Sequence, residues 1–132
     1  CRAVRPGATG YVTDACVPTT ALAHCIRETR TLLQNLDFPA PLFGHVGDGN
    51  YHVVCIIEPG NGSELAQVKE LGARLVDLAL QAGGTCTGEH GIGLGKIAAL
   101  EKECGPAVDI MRKVKKALDP DDLMNPGKVL RV

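Results

Sequence analysis

The fold is decided by the stretch Gly44–Ile57, which reads GHVGDGNYHVVCII. Residues 47–50 favour a turn and their flanks favour strands, so the pattern predicts a β-hairpin with a four-residue loop. In that register His45 faces His52. Directly opposed residues of antiparallel strands point to the same side, with Cβ atoms about 5 Å apart. The hairpin is therefore expected to bring two imidazoles within reach of one metal ion.

A second glycine-rich turn, Gly88–Gly93, contains Glu89 and His90. His45, His52 and Glu89 form a two-histidine, one-carboxylate set, which leaves positions open on a divalent metal such as zinc or manganese. His90 cannot easily point the same way as Glu89 on a tight turn, so one of the two is expected to bind metal while the other acts as acid or base. One alternative stays open: these side chains only hydrogen-bond their own glycine-rich turns.

Two further polar residues lie in the first turn. Asp48 stands between two glycines and is interpreted as a turn residue. Asn50 fits either a turn or a ligand role, and we assign it, with His90, to substrate binding. The run Gly91–Lys96 lacks the Walker spacing and lacks Ser or Thr after its lysine, which disfavours a nucleotide-binding loop.

The size and composition indicate one ordinary globular domain over residues 1–132. The chain has 45% hydrophobic and 22% charged residues with a formal net charge of -1, so no basic surface for nucleic acid is expected. Its apolar runs are too short for a membrane span. The six cysteines form no CxxC pair, and we expect buried free thiols in a reducing compartment.

The order of predicted elements indicates an α+β fold. A strand over residues 11–17 is followed by a helix, the hairpin and a second helix that ends at Gly83-Gly84. The second hairpin strand is apolar on both faces, which predicts a central position. We therefore expect an antiparallel sheet with helices on one face, in a ferredoxin-like arrangement, followed by C-terminal helices.

Finer expectations concern the helices themselves. Thr19 or Thr20 is predicted to cap the first helix, and Ser63 the second. The last helix, from Pro106 to Leu118, is predicted to turn four apolar side chains inward: Val108, Met111, Val114 and Leu118.

Several motifs together resemble a known family. They are Gly44–His52, Thr87–Gly93 and Asn125–Lys128, supported by Thr13–Pro18 and Asp119-Pro120. In this order and spacing they resemble the C-terminal domain of FAD-linked 2-hydroxy-acid dehydrogenases and oxidases. The likeness is greatest to cytochrome-linked D-lactate dehydrogenases, and glycolate oxidase flavoprotein subunits and D-2-hydroxyglutarate dehydrogenases are relatives.

The resemblance implies a function for the chain. It would be the C-terminal, substrate-binding part of an FAD- and metal-dependent dehydrogenase that oxidises D-lactate to pyruvate, without the N-terminal FAD domain and inactive when isolated. By the resemblance, His45, His52 and Glu89 hold the metal, and His90 takes the hydroxyl proton as hydride passes to the flavin. Asn125 and Lys128 would lie against the flavin.

The resemblance also implies partners and a substrate preference. D-2-hydroxyglutarate dehydrogenases carry a lysine and an asparagine where this chain has Val12 and Val54, so a small monocarboxylate is expected. The electron acceptor would be cytochrome c or a quinone. The expected location is the mitochondrion in a eukaryote, and the cytoplasm or inner-membrane periphery in a bacterium. The competing hypotheses are a metal-dependent hydrolase with His90 as base and a non-catalytic metal-binding domain.

Overall fold

A computed structural model describes Cys1 and residues 3–131, and it confirms the α+β class with an antiparallel sheet. The strands are β1 (Thr9–Val12), β2 (Ala15–Cys16), β3 (Leu42–His45) and β4 (Asn50–Ile57), and the helices are α1 (Thr19–Leu33), α2 (Gly62–Gln81), α3 (Ile97–Cys104) and α4 (Ala107–Leu118). The chain divides into two compact units, Cys1–Glu89 and His90–Val132. That all 132 residues form one domain stays a prediction.

Strand β4 is central, as its apolar sequence predicts. It pairs with β1 and β2 along one edge and with β3 along the other, antiparallel in every case. The pairs Thr9↔Ile57 and Cys16↔Asn50 obey the same offset, so β1 and β2 are two parts of one strand interrupted at Thr13-Asp14. Every β4 residue is buried except Val54, which is half-buried.

The two faces of β4 have different surroundings, because successive side chains of a strand point to opposite sides. Tyr51, Val53, Cys55 and Ile57 belong to the hydrophobic core that the sheet shares with α1 and α2. Burying one such aliphatic side chain contributes about 1.5–3 kcal/mol. Burial also raises the pKa of the Cys55 thiol to about 11, so the thiol is protonated at neutral pH. The helices thus cover the odd-numbered face.

The hairpin register differs from the prediction. The loop comprises Val46–Gly49, so His45 pairs with Asn50, and His52 pairs with Phe43 rather than with His45. The loop begins one residue earlier because Gly49 takes a left-handed φ of +72°, where a Cβ atom would lie 1.9 Å from the Val17 carbonyl oxygen. The prediction that His45 and His52 lie directly opposite each other is therefore wrong.

The predicted helix caps are also wrong. Helix α1 begins after Pro18 without a side-chain cap, so neither threonine has that role. Helix α2 is capped by Asn61, whose Oδ1 accepts from the amides of Ser63 and Glu64 at 3.1 and 3.2 Å. Ser63 lies inside the first turn and is a donor there. Asn61 is the cap because its side-chain oxygen accepts hydrogen bonds from two amides that have no partner within the helix.

Within the unit His90–Val132, only part of the inward stripe of α4 is buried. Val108 is 2% exposed, as predicted, but Met111, Val114 and Leu118 are 37%, 53% and 74% exposed, so that prediction is wrong for them. Helical spacing identifies residues that share a face; it does not supply an element to cover that face. Beyond α4, Asp119 accepts from the amides of Leu123 and Met124, both at 2.9 Å.

The cysteine prediction is confirmed in part. Cys25, Cys55 and Cys86 are buried free thiols as expected, whereas Cys16 and Cys104 are half-buried and Cys1 is exposed. Among the described residues, no helix combines the length and apolar character that crossing a membrane requires.

Candidate metal centre

The three side chains of the predicted ligand set lie together in the first unit. Nε2 of His52 is 3.1 Å from Oε1 of Glu89, and Nε2 of His45 is 3.7 Å from the same oxygen. The two imidazole centroids are 5.9 Å apart, with the rings nearly perpendicular. One ligand atom from each residue lies within 4.8 Å of the other two. The side chains thus form a compact group of two nitrogens and one carboxylate.

The sheet register explains how the histidines meet although they are not paired. His45 ends β3 opposite Asn50, and His52 lies two positions further along β4, so both point to the even-numbered face. Their side chains differ in access, since His52 is 4% exposed and His45 is 61% exposed. With Glu89 at 47%, the group has one buried side chain and two that face solvent.

A main-chain carbonyl orients the ring of the buried histidine. Its Nδ1 lies 3.2 Å from the carbonyl oxygen of Thr13. A carbonyl oxygen only accepts, so Nδ1 carries the hydrogen and the lone pair of a neutral ring is on Nε2, facing Glu89. A lone pair and a carboxylate oxygen 3.1 Å apart repel unless a proton or a cation lies between them. The donor set therefore fits a divalent metal, and an ion pair of protonated His52 with Glu89 is the simpler alternative.

The Glu89 turn is anchored by a residue that sequence reasoning missed. Asp14 is 5% exposed, and its Oδ2 accepts from the Thr87 hydroxyl at 3.1 Å and from the Gly88 amide at 2.8 Å. Its Oδ1 lies 3.4 Å from the Glu89 amide. An added Cβ at Gly88 would lie 2.6 Å from oxygens of both Asp14 and Asn50, which explains the glycine. The available signal was an aspartate inside a strand-like, otherwise apolar segment.

An open cleft of about 360 Å³ adjoins the group, lined by Cys16, His45, Asp48, Asn50, Gly88 and Glu89. Asn50 is 6% exposed, and its Oδ1 is buried without a hydrogen-bond partner among the described residues. Asp48 contributes its main-chain carbonyl, which accepts from the Cys16 thiol at 3.4 Å. Asn50 therefore lies beside the cleft, and its role toward a substrate stays a prediction.

The sheet also groups the residues expected to influence substrate choice. Val12 pairs directly with Val54, on the same face as His52. The ring of Phe43 lies 5.7 Å from that of His52, and Phe43 is 52% exposed. The even-numbered face thus carries apolar side chains next to the polar group.

The other predicted site residues belong to the second unit. His90 is exposed and directly follows Glu89 in the chain. Asn125 has a φ of +50°, and its carbonyl accepts from the Lys128 amide at 3.1 Å in a tight turn. The Val129 amide donates to the Gly93 carbonyl at 2.8 Å, so this tail contacts the turn that begins the unit. The roles of His90, Asn125 and Lys128 stay predictions.

Fold and site together define an α+β chain whose first unit carries an open, two-histidine and one-carboxylate group on the sheet face opposite α1 and α2. Residues 1–129 match the family described as FAD linked oxidases, C-terminal domain, and the chain belongs to that family. The resemblance inferred from the sequence motifs is thereby confirmed.

Several curated relatives match over almost the whole chain. The probable mitochondrial D-lactate dehydrogenase of Danio rerio is 48% identical over 98% of this chain and 26% of its own length. The mitochondrial cytochrome D-lactate dehydrogenase of Arabidopsis thaliana is 40% identical over 98% of the chain and 23% of its length. The glycolate oxidase subunit GlcD of Bacillus subtilis is 35% identical over 92% and 26%. The chain therefore spans about a quarter of the length of these relatives.

Proposed function

We propose that this chain is the substrate-binding part of an FAD- and metal-dependent D-2-hydroxy-acid dehydrogenase that oxidises D-lactate to pyruvate. Membership of the FAD-linked oxidase family supports the flavin, and the names of the relatives in Danio rerio and Arabidopsis thaliana support D-lactate. The observation that supports a metal ion is the clustering of His45, His52 and Glu89. Their possible ligand atoms lie within 4.8 Å of one another.

His45, His52 and Glu89 would hold a zinc or manganese ion on the even-numbered face. A metal held there would supply stabilisation of negative charge on the substrate oxygen, and FAD would supply the acceptor for the hydride from carbon 2. The exposed sides of His45 and Glu89 leave room for a substrate hydroxyl and carboxylate to approach from the cleft. Asn50, at the same cleft, would bind the substrate through its side-chain amide.

His90 would remove the remaining proton. Oxidation of a hydroxyl to a ketone releases one hydride from carbon and one proton from oxygen, so a base must take the proton. His90 is exposed and covalently adjacent to the ligand Glu89, which keeps the two Cα atoms about 3.8 Å apart. A neutral imidazole in such a position is a suitable acceptor at neutral pH.

The apolar flank of the site supports a monocarboxylate substrate. Val12 and Val54 form a cross-strand pair beside His52, and neither carries a group that could bind a second carboxylate. Phe43 adds an exposed aromatic ring on the other side of His52. A methyl group such as that of lactate suits this surface, whereas a charged side chain would lose hydration without gaining a partner.

The remaining parts of the reaction would come from elsewhere in a longer protein. An FAD domain would contact the turn of Asn125 and Lys128, and cytochrome c or a quinone would receive the electrons. We infer a mitochondrial location for a eukaryotic source, since the relatives from Danio rerio and Arabidopsis thaliana are both named as mitochondrial.

Two alanine variants of the intact protein test the assignment. In His52→Ala we expect metal content and dye-linked D-lactate oxidation to fall together, the latter at least about a hundredfold, because loss of an orienting group alone has effects of that size. In His90→Ala we expect turnover to fall about 10²–10⁴-fold with metal content retained. Metal analysis, flavin absorbance and single-turnover reduction of the flavin measure these quantities.

His24→Ala is the matched control, since His24 is an exposed histidine of α1. It should retain both metal and activity. Metal loss confined to His90→Ala would contradict the division of roles. A flavin-free intact protein with hydrolytic activity would favour the hydrolase, and a metal-binding protein without any turnover would favour the non-catalytic domain.

A further inference from the structure

Between β1 and β2, at Thr13-Asp14, a side chain takes the place of a main-chain group in the hydrogen bonds to β4. A bulge would insert one residue and change the pairing offset on its far side. Here the offset to β4 is the same on both sides, from Thr9↔Ile57 to Cys16↔Asn50. Thr13 and Asp14 therefore remain in line with the sheet, and their altered hydrogen bonds require another explanation.

At Thr13 the side chain replaces the main chain as acceptor. The Thr13 amide donates to the Val53 carbonyl at 2.9 Å, as a regular antiparallel pair requires. The return bond differs, because the Val53 amide donates to the Thr13 hydroxyl oxygen at 2.9 Å. The Thr13 carbonyl is thereby available to His52, and it lies 3.2 Å from Nδ1 of that ring. This contact places the hydrogen on Nδ1 and the lone pair on Nε2.

The next residue, Asp14, supports the turn of Glu89, which belongs to the same group of side chains as His52. The Asp14 side chain is 2% exposed, and its Oδ1 lies 3.7 Å from Nδ1 of His52. Its Oδ2 accepts from the Gly88 amide and the Thr87 hydroxyl, immediately before Glu89. A buried carboxylate with several donors is a rigid support for a turn that otherwise contains flexible glycines.

We propose that Thr13 and Asp14 are a positioning pair, in which Thr13 orients His52 and Asp14 holds the turn of Glu89, so that one dipeptide aligns two ligands of the metal. The inference rests on the proposed metal site. Neither residue is itself a ligand in it. The pair accounts for the interruption of the strand beside His52.

A valine at position 13 tests the Thr13 half. Thr13→Val keeps the branched shape but removes the hydroxyl, so the buried Val53 amide draws the residue-13 carbonyl back into the ladder. His52 then loses its acceptor. We expect the dissociation constant of the intact, FAD-loaded protein for Co²⁺ to rise about 10–100-fold, with a changed visible Co²⁺ spectrum. Thr13→Ser retains the hydroxyl and should restore both.

Thr9→Val is the control, because it makes the same change on an exposed residue of the same strand. It should leave the dissociation constant and the Co²⁺ spectrum unchanged. A Thr13→Val protein with wild-type values for both would overturn the role of Thr13. So would a Thr13→Ser protein as impaired as Thr13→Val, since the hydroxyl would then not be the responsible group.

Asp14→Asn tests the other half by a readout that needs no metal. The amide keeps the shape of the side chain but presents an NH₂ group where Asp14 now accepts from both Thr87 and Gly88. We expect faster hydrogen exchange at the Gly88 and Glu89 amides of the intact protein, together with weaker Co²⁺ binding. Unchanged exchange in this turn would overturn the role of Asp14.

The outcomes separate this inference from the proposed function. A wild-type protein that binds no Co²⁺ would overturn the metal site, and with it the metal-directed role of the pair. A wild-type protein that binds Co²⁺ no better than Thr13→Val and Asp14→Asn would overturn the pair alone.

Discussion

The two faces of β4 are built from alternate residues of one strand, yet they follow different rules. The odd-numbered face carries Tyr51, Val53, Cys55 and Ile57, which are at most 2% exposed and pack into the core with α1 and α2. The even-numbered face carries Asn50 and His52, which are polar and 6% and 3% exposed, followed by the apolar Val54 and Ile56. The odd-numbered face is held by apolar area throughout, whereas the even-numbered face also buries polar groups, of which His52 has a defined partner in the Thr13 carbonyl.

The comparison shows which kind of substitution each face tolerates. An apolar core accepts changes of shape at a graded cost, because dispersion and burial are summed over many contacts. Loss of one partner of a buried hydrogen bond lowers stability sharply, because the polar group that remains is left unpaired in a low-dielectric environment. Stability should therefore depend on the odd-numbered face, and ligand geometry on the even-numbered face.

The largest effect on stability is expected from Ile57→Ala. Ile57 is 2% exposed, and truncating it leaves a cavity that should lower the free energy of unfolding by about 2–5 kcal/mol. Hydrogen exchange of the β4 amides in the intact protein measures the change. Val12→Ala is the control on the other face, where the side chain is 57% exposed and the expected change is within about 0.5 kcal/mol. Equal losses in the two variants would contradict the division between the faces.

A smaller effect is expected from Gly44→Ala, which tests the observed register. Gly44 pairs with Tyr51 on the core face, and an added Cβ would lie 2.3 Å from the Asn50 carbonyl oxygen. Such overpacking lowers stability by about 1–3 kcal/mol and should displace the neighbouring His45, so that metal affinity falls as well. Both quantities are measured in the intact protein, by hydrogen exchange of β4 and by Co²⁺ titration.

Gly47→Ala is the matched control for this change. Gly47 lies in the same hairpin, and a Cβ atom there meets nothing within 4 Å. It should therefore change neither stability nor metal affinity measurably. If Gly47→Ala were the more harmful of the two, the loop would not be Val46–Gly49 and the register would be wrong.

The sequence was sufficient for the part of the fold that depends on periodicity. The apolar run of β4 predicted a central strand, and the spacing in α2 predicted the helix that covers it; both are confirmed. The hairpin register was not predictable, because it depends on Gly49 approaching the Val17 carbonyl, a contact between distant parts of the chain. The same limit applies to α4, whose exposed apolar residues form a stripe without a cover in their own unit.

The clustering of His45, His52 and Glu89 could be predicted even though the register was wrong, for a simple geometric reason. The actual pairing moves the partner of His45 from His52 to Asn50, a shift of two residues. An even shift leaves every side chain on its original face, whereas a shift of one would have separated the histidines. The contacts of Thr13 and Asp14 could not be predicted, because periodicity indicates only that a residue is polar. Whether its hydroxyl takes over a main-chain hydrogen bond depends on the pairing of strands distant in sequence.

The smallest effect on stability is expected at Glu64, a buried carboxylate in the first turn of α2. Arg5 contacts both its oxygens at 3.0 Å, and the Glu58 amide donates to it at 2.7 Å. The Arg5 hydrogen bonds, followed by that amide, hold the pKa of Glu64 below its usual 4.5. A carboxyl with a lowered folded-state pKa stabilises the protein fully above its unfolded-state pKa, and this stability is lost as the pH falls through the folded-state value.

Glu64→Gln should therefore lower stability at pH 7 and flatten the decline of stability below about pH 4.5. Acid titration followed by hydrogen exchange of α2 measures both, and we expect the acid midpoint to move by less than about one pH unit. Glu70→Gln is the control, since Glu70 is an exposed residue of the same helix. If Glu64→Gln kept the wild-type slope, the acid sensitivity would belong to other carboxylates of the protein.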